Sequence, residues 1–307
     1  MFRRTPIAFL LLAILLTACG GGAASGGGDK LRVVATTTIV GDVVARVGGD
    51  YIDLTILLPV GADPHAFDPR PQDVAAVADA DIVFANGAGL EEFLPPLLES
   101  AGAEEKLVEV SMGIELLPFD AEEKHAGGEE HEGGDPHIWM DPNNVILWTE
   151  NIAAALSGAD PAHAEQYAVN AGHYIEALRE LDVWIHTRVA RIPPERRKLV
   201  SDHAVFGYFA KEYGFEQVGT IVASFSTNAS PSARELAELE DTIWAYNIPA
   251  IFVGATFNPA LAEQVSQDTG TALVFVYTGS LSAPGGEADS YIEFMRYNVN
   301  VIVEALK

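Results

Sequence analysis

Cysteine occurs once in 307 residues, at Cys19, so no disulfide within the chain can brace the fold. Basic side chains are scarce: 18 Lys and Arg stand against 44 Asp and Glu, for a formal net charge of −26. Such a surface repels nucleic-acid phosphates and anionic lipid headgroups and draws in cations, which excludes a nucleic-acid partner. Hydrophobic runs long enough to span a bilayer are also missing, since the apolar run at 7–16 is too short for a permanent membrane helix. What remains is ordinary: 49% apolar and 20% charged residues, in a chain long enough for two domains or one large one.

The apolar run follows Arg3 and Arg4, so residues 1–18 have the architecture of a signal peptide. The run closes on Leu16-Thr17-Ala18-Cys19-Gly20, which resembles a bacterial lipobox with Cys19 as the acylated first residue of the mature chain. Stable anchoring needs more than one acyl chain, which a diacylglyceryl cysteine supplies. Residues 19–29 are rich in glycine and read as a flexible tether. The expectation is an extracytoplasmic body in the cell envelope, anchored by lipid on Cys19 to the membrane, on its periplasmic side or at the outer face of the cytoplasmic membrane.

The body alternates strand and helix patterns. Apolar strands are expected at 31–37, 52–58 and 81–85, with helices at 39–47 and 71–80 and from about residue 91. A second series has strands at 198–201, 217–222, 250–253 and 273–277, and helices at 208–213, 232–246, 259–269 and 291–306. Alternation of this kind argues for parallel α/β sheets. Between the two series, 161–192 reads as one helix stopped by Pro193-Pro194, with Tyr167, Val169, Tyr174, Ala177, Leu178, Leu181 and Trp184 on its apolar face. Some 30 residues at 1.5 Å each make roughly 45 Å, the length of a spine between two halves. The fold class is therefore α/β, with lobes at 30–160 and 193–307 joined by the helix 161–192.

Histidine carries the chemistry. His65 lies in a loop after a strand, in Gly61-Ala62-Asp63-Pro64-His65-Ala66-Phe67-Asp68-Pro69. His137 sits in Asp135-Pro136-His137-Ile138-Trp139-Met140-Asp141-Pro142, where two prolines stiffen the segment. His203 ends a strand in Ser201-Asp202-His203-Ala204-Val205-Phe206-Gly207. Ligands of parallel sheets gather at the carboxyl ends of strands, so the three imidazoles are expected around one inter-lobe cleft. A site rich in nitrogen suits zinc better than magnesium or calcium. His163, His173 and His186 fall on the long helix and read as surface or inter-helix residues. His125 and His131 belong to an acidic, glycine-rich stretch at 122–132 that can collect zinc weakly or simply be solvated.

Together these three motifs resemble the metal-binding motifs of the zinc and manganese solute-binding proteins of ABC importers, the ZnuA/TroA-like, cluster A-I lipoproteins. The similarity runs from Leu31 to Leu306 and includes the closing helix with Tyr291-Ile292-Glu293-Phe294-Met295-Arg296-Tyr297-Asn298. The resemblance implies two α/β lobes joined by a rigid helix, metal captured between them, and delivery to a membrane permease, by a protein expected to be a monomer.

Two departures stand out. Where many members carry a carboxylate ligand, Tyr277-Thr278-Gly279-Ser280-Leu281 has Gly279, so the fourth position falls to water or to a carboxylate such as Glu287 or Asp289. The acidic residue common in the family is also missing from 224–231. Manganese-binding members tend to use a carboxylate where His203 stands. Zinc is favoured, with manganese the alternative. A His₃ zinc hydrolase is the competing class, but no motif places a general base and no His-Glu-x-x-His occurs. An adhesin or structural lipoprotein leaves the histidines unexplained. No enzymatic activity is expected.

Overall fold

The computed structural model describes residues 30–118 and 134–307. Cys19, the tether and the 122–132 stretch with His125 and His131 lie outside the described residues. Two four-stranded parallel sheets are built with the same topology. The first, in spatial order β2-β1-β3-β4, comprises β1 (Leu31–Ala35), β2 (Ile52–Ile56), β3 (Ile82–Ala85) and β4 (Leu107–Glu109). The second, ordered β6-β5-β7-β8, comprises β5 (Lys198–Ser201), β6 (Glu216–Thr220), β7 (Ala250–Gly254) and β8 (Ala272–Val276). Inner strands are covered on both faces, hence the continuous apolar runs of β3 and β7, while β2 and β6 at the edges tolerate polar residues.

Alternate side chains of each sheet face different cores. Val34, Val83 and Ala85 pack under α2 (Pro71–Asp79) and α3 (Leu94–Ala101). Val200, Ile251 and Val253 pack under α7 (Ala233–Tyr246) and α8 (Ala260–Thr269). The opposite faces, with Val33, Ala35 and Phe84 from one sheet and Leu199, Ala250 and Phe252 from the other, belong to a single core. Helices α1 (Thr38–Gly48), α4 (Pro142–Ala159), α5 (Ala164–Val189) and α9 (Tyr291–Leu306) line that core, joined by Tyr208, Phe209, Ala210 and Tyr213. The short helix α6 (Gly207–Tyr213) packs beside α5.

Helix α5 is the spine. Its 26 residues extend about 39 Å. Tyr167, Ala171, Tyr174, Leu178, Leu181, Ile185 and Val189 are buried at helical spacing, and the helix touches α1 and α4 as well as α6 and α9. It is shorter than the sequence pattern predicts. Pro161–His163 forms a separate 3₁₀ turn, held where Asp160 Oδ2 accepts from His163 Nδ1 at 2.6 Å and Tyr167 Oη at 2.9 Å. The buried stripe runs through Ala171 rather than Val169, which is 50% exposed.

Two elements lie outside the sequence-based expectation. β4 has only three residues, too few for a periodic signal. Helix α4 starts at Asp141-Pro142, a dipeptide that reads as a turn but serves as N-cap and first helical residue, with Asp141 accepting from the Asn143 amide at 2.8 Å. Among the described residues no helix is long and apolar enough to cross a membrane.

A shared core makes a cooperative body. Leu178 is fully buried on α5, so Leu178→Ala should cost about 3 kcal/mol. Denaturant unfolding followed by fluorescence and circular dichroism should show one transition at a lower midpoint. Two separate transitions would contradict a core common to both lobes.

Candidate metal centre

Each of the three motif histidines reaches the same point by a different route. His65 follows β2 in a loop where Gly61 adopts a left-handed φ of 79°. Asp63 Oδ1 accepts from the His65 amide at 3.0 Å, tightening the turn. The second sheet's side grips this loop: Thr227 Oγ1 donates to Asp63 Oδ2 at 2.6 Å, Asn228 Nδ2 to the His65 carbonyl at 2.7 Å, and the Gly61 amide to Ser280 Oγ at 2.9 Å. The 224–231 segment thus supplies Thr227 and Asn228 as cross-lobe clamps.

His137 is fixed from several sides. Asn86 Nδ2 donates to the Pro136 carbonyl at 3.0 Å, Tyr208 Oη to the Asp135 carbonyl at 2.9 Å, and Trp139 Nε1 to the Thr278 carbonyl at 2.9 Å. Asp135 Oδ1 accepts both the amide and Nδ1 of His137, at 2.9 and 2.8 Å. His203 repeats this device at the end of β5, where Asp202 Oδ1 accepts its amide and Nδ1, each at 2.7 Å. Asp202 Oδ2 takes the Gly254 amide at 2.6 Å, an approach that needs glycine, because a Cβ there would lie 2.9 Å from that oxygen and 2.3 Å from Thr278 Oγ1.

A carboxylate that accepts from Nδ1 leaves the proton on that nitrogen and the lone pair on Nε2. His137 Nε2 then stands 3.2 Å from His65 Nε2 and 3.3 Å from His203 Nε2. Lone pairs of His137 and His203 pressed together at this distance repel each other, and a cation between them reverses the sign. Donors around a tetrahedral zinc at 2.0–2.1 Å stand roughly 3.3 Å apart. One ligand atom from each histidine falls within 4.8 Å of the others, and all three residues are buried. They line a cavity of about 10 Å³ with Asp63, Pro64, Trp139, Thr227, Thr256, Thr278 and Gly279. That space holds one water-sized particle.

Burial pushes the Asp135 carboxyl up to about 7, against the lowering effect of the His137 amide. Because this value is raised in the fold, ionising Asp135 costs stability as pH rises from its ordinary carboxylate range to about 7. A cation held by His137 favours the ionised form and opposes that cost.

The carboxylates considered for the fourth position are elsewhere. Glu287 is exposed, and Asp289 Oδ2 accepts the Gly285 amide at 2.8 Å in its own turn. Nor does a side chain fit easily at 279, since a Cβ there would meet Pro64 Cδ at 2.7 Å. The sequence-based expectation also passed over Asp135 and Asp202 as orienting groups. Their signal was an acidic residue one or two places before histidine, in Asp135-Pro136-His137 and Asp202-His203.

The profile of the ZnuA family, described as zinc-uptake complex component A, periplasmic, matches residues 33–305. The chain belongs to this family. It is 35% identical over 280 residues to the manganese-binding lipoprotein MntA of Halalkalibacterium halodurans, covering 90% of this chain and 88% of that one. It is 34% identical over 274 residues to the iron-binding protein YfeA of Yersinia pestis, covering 89% and 85%. Among solved structures, a Mn-bound periplasmic metal-binding protein from Candidatus Liberibacter asiaticus superposes with a TM-score of 0.79 at 27% identity, covering 91% of this chain and all of that one. In a ZnuA-family body with this geometry, Asp202→Asn should weaken divalent-metal binding about 10–100-fold by releasing the His203 ring. Competition against a chromogenic chelator measures it, and wild-type affinity would remove Asp202 from the site.

Proposed function

We propose that this chain is the extracytoplasmic solute-binding lipoprotein of an ABC importer, capturing Zn²⁺ with His65, His137 and His203 and passing it to the membrane permease. The observation that carries this reading is the convergence of three ring nitrogens, two at 3.2 and 3.3 Å from His137 Nε2, on a cavity sized for one ion. Lipid on Cys19 would tether the body at the membrane, in keeping with the lipoprotein relatives. Capture rather than turnover suits the small cavity, which leaves no room for a substrate beside the ion. Cross-lobe clamps and a common core favour closure by small adjustments of loops over a wide hinge.

Zinc is the preferred cargo because the donors are imidazoles and position 279 offers no oxygen. Manganese is the second reading, supported by the manganese-binding relative and the Mn-bound structural neighbour. Raw affinity favours zinc over manganese at most nitrogen and oxygen sites, so the two separate by the metal taken up: the zinc reading expects zinc accumulation in cells to depend on this chain, and chain-dependent uptake of manganese alone reverses it.

Removing His137 should lower zinc affinity by orders of magnitude, as read by chelator competition. An unchanged affinity in His137→Ala would falsify the capture proposal. Bound imidazole is unprotonated, and free imidazole has an ordinary pKa of about 6.5, so affinity should fall as pH drops below that value. Protonation of Asp135 below about 7 acts in the same direction. Affinity that stays flat from pH 7.5 to about 5.5 would mean imidazoles are not the donors. Deleting 122–132 should slow or weaken acquisition and leave the site itself intact; stopped-flow zinc uptake distinguishes this from loss of the site.

A further inference from the structure

A second group of metal-ligating side chains lies on the solvent side of the spine. Asp182 and His186 are four residues apart on α5 and so share a face, and Glu212 on α6 comes up beside them. His186 Nε2 is 3.4 Å from Glu212 Oε1 and 3.8 Å from Asp182 Oδ1. Both separations exceed ordinary hydrogen-bond lengths. They approximate the roughly 3.3 Å between nitrogen and oxygen donors that share a tetrahedral zinc.

The group is held in place. Asp182 Oδ1 accepts from Tyr213 Oη at 2.9 Å and Asn143 Nδ2 at 3.4 Å, and the His186 ring packs edge-on against Tyr213 with centroids 4.9 Å apart. Charge there is unbalanced: among the described residues, the ion pairs of Asp182 and Glu212 are to His186 alone. Neighbouring Asp141 registers the excess. Its carboxyl is pushed up to about 6, first by burial and further by the charges of Glu212 and Asp182, against hydrogen bonds from Asn143. His186 and Glu212 are open to solvent, so an ion can reach them, and a cavity of about 290 Å³ with Glu212 and Asp141 in its lining lies alongside.

We propose that Asp182, His186 and Glu212 form a second, weaker zinc site that bridges α5 to α6. One imidazole with two carboxylates is a borderline donor set that zinc accepts. Exposure of His186 and Glu212 makes this the weaker of the two sites, since their charges are partly screened. Its place in the fold gives it a consequence. α6 begins at Gly207, where a Cβ would lie 2.4 Å from Asp135 Oδ2, and its Tyr208 donates to the Asp135 carbonyl. An ion pinning α6 to α5 therefore steadies the helix against which the His137 support rests.

Calorimetric titration of the full chain with Zn²⁺ alone tests the proposal. Wild type should show a tight equivalent and a weaker one. His186→Ala and Glu212→Gln, both at exposed positions, should each lose the weaker equivalent and keep the tight one. His137→Ala should do the reverse, so failure of the inter-lobe site and failure of this one give different isotherms. Wild-type isotherms in both His186→Ala and Glu212→Gln would overturn the second site, whatever the 122–132 stretch contributes, because that stretch is common to all the variants.

Discussion

Repulsion between imidazole lone pairs organises this protein. Asp135 and Asp202 hold the Nδ1 protons of His137 and His203, which turns two unprotonated Nε2 atoms toward each other at 3.3 Å. A packed interior does not keep such an arrangement for its own stability. It needs the surrounding hydrogen bonds to impose it, and it favours any divalent ion that fits between the rings. The closely approached Gly254, the Tyr208 and Trp139 hydrogen bonds and the Thr227–Asn228 clamp all serve to keep three rings aimed at one point.

The fold explains how side chains so far apart in sequence are held together. Two sheets of identical strand order present the ends of β2 and β5, and the loop beyond β4, to the same space. Ligands collect at such strand ends in parallel sheets. What differs from two freely hinged lobes is the continuous core, which runs from Val33 to Leu306 through α5. A rigid frame holds the three imidazoles close together, which limits the ordering that the proposed capture would require.

Much of this was legible in the sequence, for identifiable reasons. Inner strands buried on both faces spell out continuous apolar runs, and the closing helix α9 carries its stripe at regular spacing, so both were readable. The three histidines stood out because each follows or is braced near a strand end in a stiff, proline- or aspartate-bearing segment. Helix α4 was hidden by Asp141-Pro142-Asn143-Asn144, whose helix-capping role depends on context that the sequence does not display. The clamp between Asp63 and Thr227 links residues 164 positions apart, beyond the reach of any local pattern. Closeness in sequence misled in the other direction: Glu287 and Asp289 lie near Gly279 along the chain, yet Glu287 is exposed and Asp289 accepts the Gly285 amide in its own turn.

The most direct measurement of the central claim is zinc K-edge X-ray absorption on the protein loaded with a single equivalent of metal. Three imidazole nitrogens and one light-atom oxygen at about 2.0–2.1 Å are the expected shell. A shell with fewer than three imidazoles, or one dominated by carboxylate oxygen, would contradict the account.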